Sequence, residues 1–260
     1  MIQKFILISL YIILMMNCGS KSSLLDENIA DRFNLGMEYF EKEKYLKAEI
    51  EFNYLILNNP GSKLSLDAQY YLAESMFYQE KYDESIVEYM RYSRFSDDPI
   101  KIETAEFKSC KASFLLSNNF LHDLGSAPEL MDKLQVFIEK FPESNYSSDI
   151  EGFFSEIRER LAKKEYEAGR LYLKIEEYES ALIYFNEVIT LYYDTKFADL
   201  ARIEIIFTFL LQHKYEDAIL QLSIFEDKFI DGNNQLIAKT LIKDMKDGNL
   251  TLSNYYRLYK

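Results

Sequence analysis

Four times along this chain a Lys or Glu precedes a tyrosine that is followed, three residues on, by an Ala or a Ser. The four are Lys44-Tyr45-x-x-Ala48, Lys81-Tyr82-x-x-Ser85, Glu177-Tyr178-x-x-Ala181 and Lys214-Tyr215-x-x-Ala218. Tyr45 and Tyr82 are 37 residues apart, and so are Tyr178 and Tyr215. A fixed period of this size marks a repeat architecture, in which one supersecondary unit stacks on its copies and buries a core that none could bury alone. Around the motifs the apolar residues recur at three- and four-residue spacing, the period of an amphipathic helix. Each repeat therefore reads as a helical pair, and the predicted fold is all-α. Glycine (8) and proline (4) are too scarce for the many tight turns of sandwiches, barrels or propellers.

The first unit carries Leu35-Gly36-x-x-Tyr39, then Ala48-x-x-x-Phe52, then Pro60. This resembles the tetratricopeptide (TPR) signature, with Arg32 where the leading Trp would stand. Two antiparallel helices approach closely only where one offers a small residue, and large residues fill the gaps beside that contact. Gly36 and Ala48 take the first role, Tyr39 and Phe52 the second, and Pro60 stops the second helix. The same packing set recurs as Ala73, Ser85 and Tyr89, then as Gly169, Tyr172, Ala181 and Phe185, and more weakly as Ala218. The third unit is visible mainly in its second helix, Leu130-x-x-x-Leu134-x-x-Phe137, behind an insertion at 117–128. Between 146 and 176 no strong breaker interrupts the chain, so one long helix is expected. The predicted fold is a TPR-type helical-hairpin solenoid of about five repeats over 28–248. Its units fall at about 29–62, 66–99, 100–142, 146–194 and 198–231, with a capping helix at 234–247 and a basic, tyrosine-rich tail at 249–260.

At the other end, Lys4 precedes an uncharged apolar run at 5–16. A run of this length is too short for a comfortable membrane span and fits the h-region of a signal peptide, here 1–17. The run leads into Cys18 and small polar residues, which resembles the lipobox of bacterial lipoproteins. Asn17 and Met15 depart from the usual residues there. Cys18 is then the lipid-modified first residue of the mature chain, and 18–27 reads as a lipidated flexible tether.

The lipobox, the tether and slightly long TPR units together resemble the outer-membrane assembly lipoprotein BamD (ComL) family. Pro60-x-Ser62-x-Leu64-x-x-Asp67-Ala68, echoed as Pro142-x-Ser144-x-Tyr146-x-x-Asp149-Ile150, adds to the likeness, as does the stretch from Leu161 through Glu167. The resemblance implies a lipid-anchored scaffold on the periplasmic side of the outer membrane that serves β-barrel protein assembly. It implies unfolded outer-membrane proteins as substrates of the N-terminal repeats. It also implies a POTRA-bearing, BamA-like barrel protein on the C-terminal repeats. A TPR lipoprotein coordinating cell division or peptidoglycan synthesis fits the repeats as well. A lytic transglycosylase fits less well, because too little chain follows Asp247 for its catalytic domain.

No triad, metal motif, P-loop or Rossmann fingerprint is present, and the expected protein is not an enzyme and carries no cofactor or metal. With a net charge of −13 it is no candidate for nucleic acid, whose phosphates call for basic faces. His122-Asp123 reads as a solvated loop pair, and His213 as a C-terminal charge or hydrogen-bond donor at a helix-helix turn. Cys110 reads as a small core hydrophobe, and Glu156, Arg158, Glu159 and Arg160 as a solvated helix face. The sharper candidates are aromatic. Phe33, Met37 and Phe40 on the first helix, with Tyr70, Glu74, Phe77 and Tyr78 on the third, fall where a TPR lines its concave face. There they form a groove for an extended or helical peptide, or else pack against neighbouring helices.

Overall fold

The computed structural model describes the backbone of residues 21–119 and 127–248, and the side chains of 29–117 and 127–248. Cys18, the signal segment, His122-Asp123 and the tail therefore lie outside the described residues. Among the described residues every regular element is helical. The first six are α1 (Lys21–Glu41), α2 (Tyr45–Asn58), α3 (Lys63–Tyr78), α4 (Tyr82–Phe95), α5 (Pro99–Asn119) and α6 (Ala127–Lys140). Then come α7 (Ser147–Lys174), α8 (Tyr178–Leu191), α9 (Lys196–Leu211), α10 (Tyr215–Phe225), a 3₁₀ turn at Glu226–Lys228, and α11 (Gly232–Lys246). The chain divides into two compact units, 1–150 and 151–260, and α7 carries it unbroken from one into the other. In the first unit each helix from α1 to α6 packs on the next; in the second, α9 holds α8, α10 and α11 together. No described helix is long and apolar enough to cross a membrane.

The hairpins close around two glycines. A Cβ built on Gly36 would stand 2.6 Å from the Phe52 ring, and one on Gly169 would stand 2.6 Å from the Phe185 ring. Each phenylalanine is fully buried beside Ala48 or Ala181, so the ring plugs the space that the missing side chain leaves. In the first unit the core is continued by Leu55, Ala68 and Leu72, and then by Ala73, Tyr89, Tyr92 and Ala105. In the second, α9 (KFADLARIEIIFTFLL) is mostly apolar and is buried along nearly its whole length, its Asp199, Arg202 and Glu204 included. Two residues past each small contact residue a branched aliphatic side chain faces solvent: Ile50, Val87, Ile183 and Leu220.

The turn inside each tyrosine-marked hairpin is the same left-handed device. Glu43, Glu80, Glu176 and His213 have φ of 56°, 62°, 65° and 60°, each two residues before the motif tyrosine. The Glu43 amide donates to Phe40 O (2.9 Å) and the Lys44 amide to Tyr39 O (2.8 Å); the other three turns repeat both bonds. This is the Schellman closure, in which glycine usually occupies the left-handed position. An L-residue there costs roughly 1–2 kcal/mol, partly offset by glycine's greater freedom in the unfolded chain. Glu80→Gly is therefore expected to stabilise the first unit by about 0.5–1 kcal/mol. A thermal or urea melt reads this, and a lower midpoint would mean that the carboxylate is engaged elsewhere.

Longer turns end in side-chain caps instead. Ser62 Oγ accepts from Ser65 N (3.1 Å), Asp98 Oδ1 from Ile100 N (3.0 Å), and Asp231 Oδ1 from Asn233 N (2.9 Å). Asp199, from α9, reaches across to the last of these turns. Its carboxylate accepts from Ile230 N (3.0 Å), Asp231 N (2.9 Å), Asn234 Nδ2 (3.2 Å) and Arg202 NH1 (2.7 Å).

Several expectations need correction. Residues 21–27 belong to α1 rather than to a flexible tether, because nothing between Lys21 and Glu41 stops a helix before Gly36. Ser117–Asn119 extend α5, and Ala127 and Pro128 open α6, which leaves a shorter insertion than 117–128. Pro99 starts α5 instead of ending the second unit, and α11 begins at Gly232 on the Asp231 cap rather than at Asn234. Arg158 is not part of a merely solvated face. Its guanidinium bonds both Asp194 oxygens and Leu191 O (2.8 Å), and it holds the Asp194 carboxyl below its usual range. His213 lies at a helix-helix turn, as expected, and takes the left-handed backbone position there. Cys110 is buried as a free thiol, and burial pushes it up to about 11, so it stays protonated and unreactive near neutral pH.

Candidate functional site

Helical spacing puts three sets of side chains on one side of the first unit. Phe33, Met37 and Phe40 stand at i, i+4 and i+7 on α1; Tyr70, Glu74 and Phe77 do the same on α3; Lys101, Thr104 and Lys108 stand at i, i+3 and i+7 on α5. They do not share one surface. A cavity of about 420 Å³ is lined by Phe33, Tyr70, Tyr71 and Tyr92, with Asp67, Lys101 and Thr104 as its polar members. The Tyr71 ring meets Phe33 edge-on at 6.0 Å, and Tyr70 meets Tyr92 edge-on at 5.3 Å. Lys101 Nζ lies 3.4 Å from Asp67 Oδ1, and that charge raises the lysine above its ordinary value.

A second aromatic group joins this one through Tyr71, whose ring is 5.6 Å from Phe40. Phe40 in turn touches Tyr45 (5.5 Å) and Tyr78 (5.9 Å), and Tyr45 and Tyr78 stack at 4.9 Å and 15°. Tyr78 is 49% exposed, so this end of the wall faces solvent. Met37 packs instead against the Ala48–Phe52 core. Phe77 lies beneath the Lys108 ammonium (5.5 Å) and beside Tyr82.

Glu74 is the residue whose surroundings differ most from a groove wall. It is only 6% exposed, accepts from the Tyr89 hydroxyl (2.5 Å) and pairs with Lys108 Nζ (3.0 Å). Burial, and then the adjacent Glu74 charge, push the Tyr70 and Tyr89 hydroxyls well above the ordinary tyrosine range, so both remain protonated donors. The carboxylate thus helps to fix Tyr70, one ring of the cavity wall, and Tyr89 behind it. The arrangement can hold apolar and aromatic groups beside one cation and several hydroxyls. Among the described residues it offers no cluster of three or more His, Cys, Asp or Glu side chains suited to a metal ion.

The model of the YfiO outer membrane lipoprotein family matches residues 26–222, which takes in the whole of this site. This chain belongs to that family. It is also 24% identical over 246 residues to the outer membrane protein assembly factor BamD of Rickettsia prowazekii (strain Madrid E), covering 93% of this chain and 98% of that one. The solved TPR2AB-domain:pHSP90 complex of yeast Sti1 aligns with a TM-score of 0.43 at 12% identity, covering 85% of this chain and 97% of that one.

In this YfiO-family chain the repeat pattern alone does not single out Tyr71, Tyr92, Lys101, Thr104 or Lys108, and it gives Asp67 only as part of a turn motif. The α5 residues are legible in principle from their i, i+3, i+7 spacing. The third unit's first helix, however, shows no Leu-Gly-x-x-Tyr set from which to fix a register. Tyr71 points about 100° away from Tyr70 on the same helix and falls outside the register positions assigned to the concave face.

Proposed function

We propose that this chain is a lipoprotein of the outer membrane, anchored through Cys18 and facing the periplasm, that acts as a non-enzymatic scaffold in β-barrel protein assembly. The observation that carries the proposal is the colinear likeness to an assembly factor over 98% of that protein's length. The aromatic cavity between α1, α3, α4 and α5 is the site at which unfolded outer-membrane proteins engage, through contacts that tolerate sequence variation. A POTRA-bearing barrel protein docks on the second unit. Two acyl chains or more on Cys18 supply an anchor that a single chain would not.

Purification of the tagged full chain from detergent-solubilised membranes tests the reading. It should recover a barrel protein with POTRA domains. Cys18→Ala should move the chain into the aqueous phase, and Phe33→Ala with Lys101→Ala should lower affinity for barrel-derived peptides about tenfold or more while the barrel partner is still recovered. Recovery of cell-division or peptidoglycan enzymes in place of the barrel protein would overturn it.

A further inference from the structure

Helix α10 is poorly covered. Of its eleven residues only Ala218 and Phe225 are buried. Tyr215 and Ile219 on one edge of its exposed face, and Leu220 and Ile224 on the other, leave apolar surface open to solvent, with Leu220 55% accessible. Glu216 stands between these two pairs, and Asp217 and Asp227 lie beside Leu220 and Ile224; all three are exposed, and none forms an ion pair among the described residues. The neighbouring outer face, on α11, has the opposite sign, with Lys239, Lys243 and Lys246 exposed. Exposed aliphatic side chains interleaved with unpaired acids complement a segment that mixes apolar residues with cations and carries no acids.

Such a segment follows α11 directly. Residues 249–260 (NLTLSNYYRLYK) hold three leucines, three tyrosines, Arg257 and Lys260, and no acidic residue. Reach is ample. Twelve residues extend to about 40 Å, whereas α11 is about 22 Å long and α10 about 16 Å. The start of α11 is pinned to the end of α10 by Gln235 Nε2 to Glu226 O (2.8 Å) and Lys239 Nζ to Glu226 Oε1 (2.9 Å). The tail can therefore span α10 from either end.

We propose that residues 249–260 dock on the exposed face of α10, with leucines and tyrosines over Ile219, Leu220 and Ile224 and with Arg257 and Lys260 against Glu216, Asp217 and Asp227. Tethering makes the contact intramolecular, so a modest apolar surface suffices where a free peptide of this length would bind weakly.

The chain contains no tryptophan, so Tyr256→Trp gives a single indole reporter in the full protein. Its emission is expected to be blue-shifted from that of the free 249–260 peptide bearing the same substitution. Its acrylamide quenching should be several-fold weaker, and both properties should be unchanged on dilution. Leu220→Asp with Ile224→Asp should return both to the peptide's values with the circular dichroism melt retained. Glu216→Lys with Asp217→Lys, which alters only exposed charge, should weaken the shielding at least twofold. Peptide-like quenching in the intact chain overturns the proposal, as does shielding that survives both double substitutions. Shielding lost on dilution would assign the face to a second copy instead and would equally overturn it.

Discussion

Replacing Asp199 with alanine is expected to cost the second unit about 3–5 kcal/mol, a large share of a domain's usual margin. The carboxylate is 1% exposed and Arg202 is 4% exposed, so the substitution leaves a buried guanidinium without its counter-charge. It also strands the Ile230 and Asp231 amides, each an unsatisfied donor worth about 1–3 kcal/mol. Asp199→Asn keeps an acceptor but not the charge, and should lose less. Urea unfolding followed by circular dichroism reads the difference, with one transition fitted per unit because the chain need not melt as a single state. A loss below about 1 kcal/mol would mean that the turn at 226–231 is held by something other than this carboxylate.

The phenylalanine plugs should come next in size. Phe52→Ala and Phe185→Ala each empty a fully buried site and are expected to cost about 3–5 kcal/mol. Filling the facing gap from the other side, by Gly36→Ala or Gly169→Ala, forces a methyl to within 2.6 Å of the ring and should cost about 1–3 kcal/mol. The two effects share one space, so they should not add. Gly36→Ala made in a Phe52→Leu background should cost at least 0.5 kcal/mol less than in the parent chain. Additive costs would show that the ring moves aside freely and that the close approach is incidental.

Much of this packing is legible in the amino-acid sequence, and the reason is geometric. Gly36 and Gly169 sit one helical turn before a tyrosine and sixteen residues before a phenylalanine, a spacing that a helical hairpin converts into contact. Periodicity reports contacts that recur. It cannot report contacts made once, and those are what escape it. Asp199 looks like one more acid on a helix, because its partners are backbone amides more than thirty residues away, and backbone groups carry no sequence signature. Register alone places Glu74 on the groove. The Tyr89 hydroxyl and Lys108 that bury it come from two other helices. The left-handed turns are invisible for a different reason: the residue that usually announces them is glycine, and here it is Glu or His.

That substitution bears on how the chain reaches its native state. A helical hairpin whose turn strongly favours closure can form alone and wait for its neighbours. Here the tyrosine-marked turns work against closure, so a hairpin gains little until the next helix arrives to cover it. In the one-dimensional description of repeat arrays, this lowers the intrinsic stability of each repeat and leaves the interfaces between repeats to supply the rest. Such an array gathers its helices together or loses them together within a unit. Few half-assembled hairpins, with their apolar faces open to other unfolded chains, accumulate on the way.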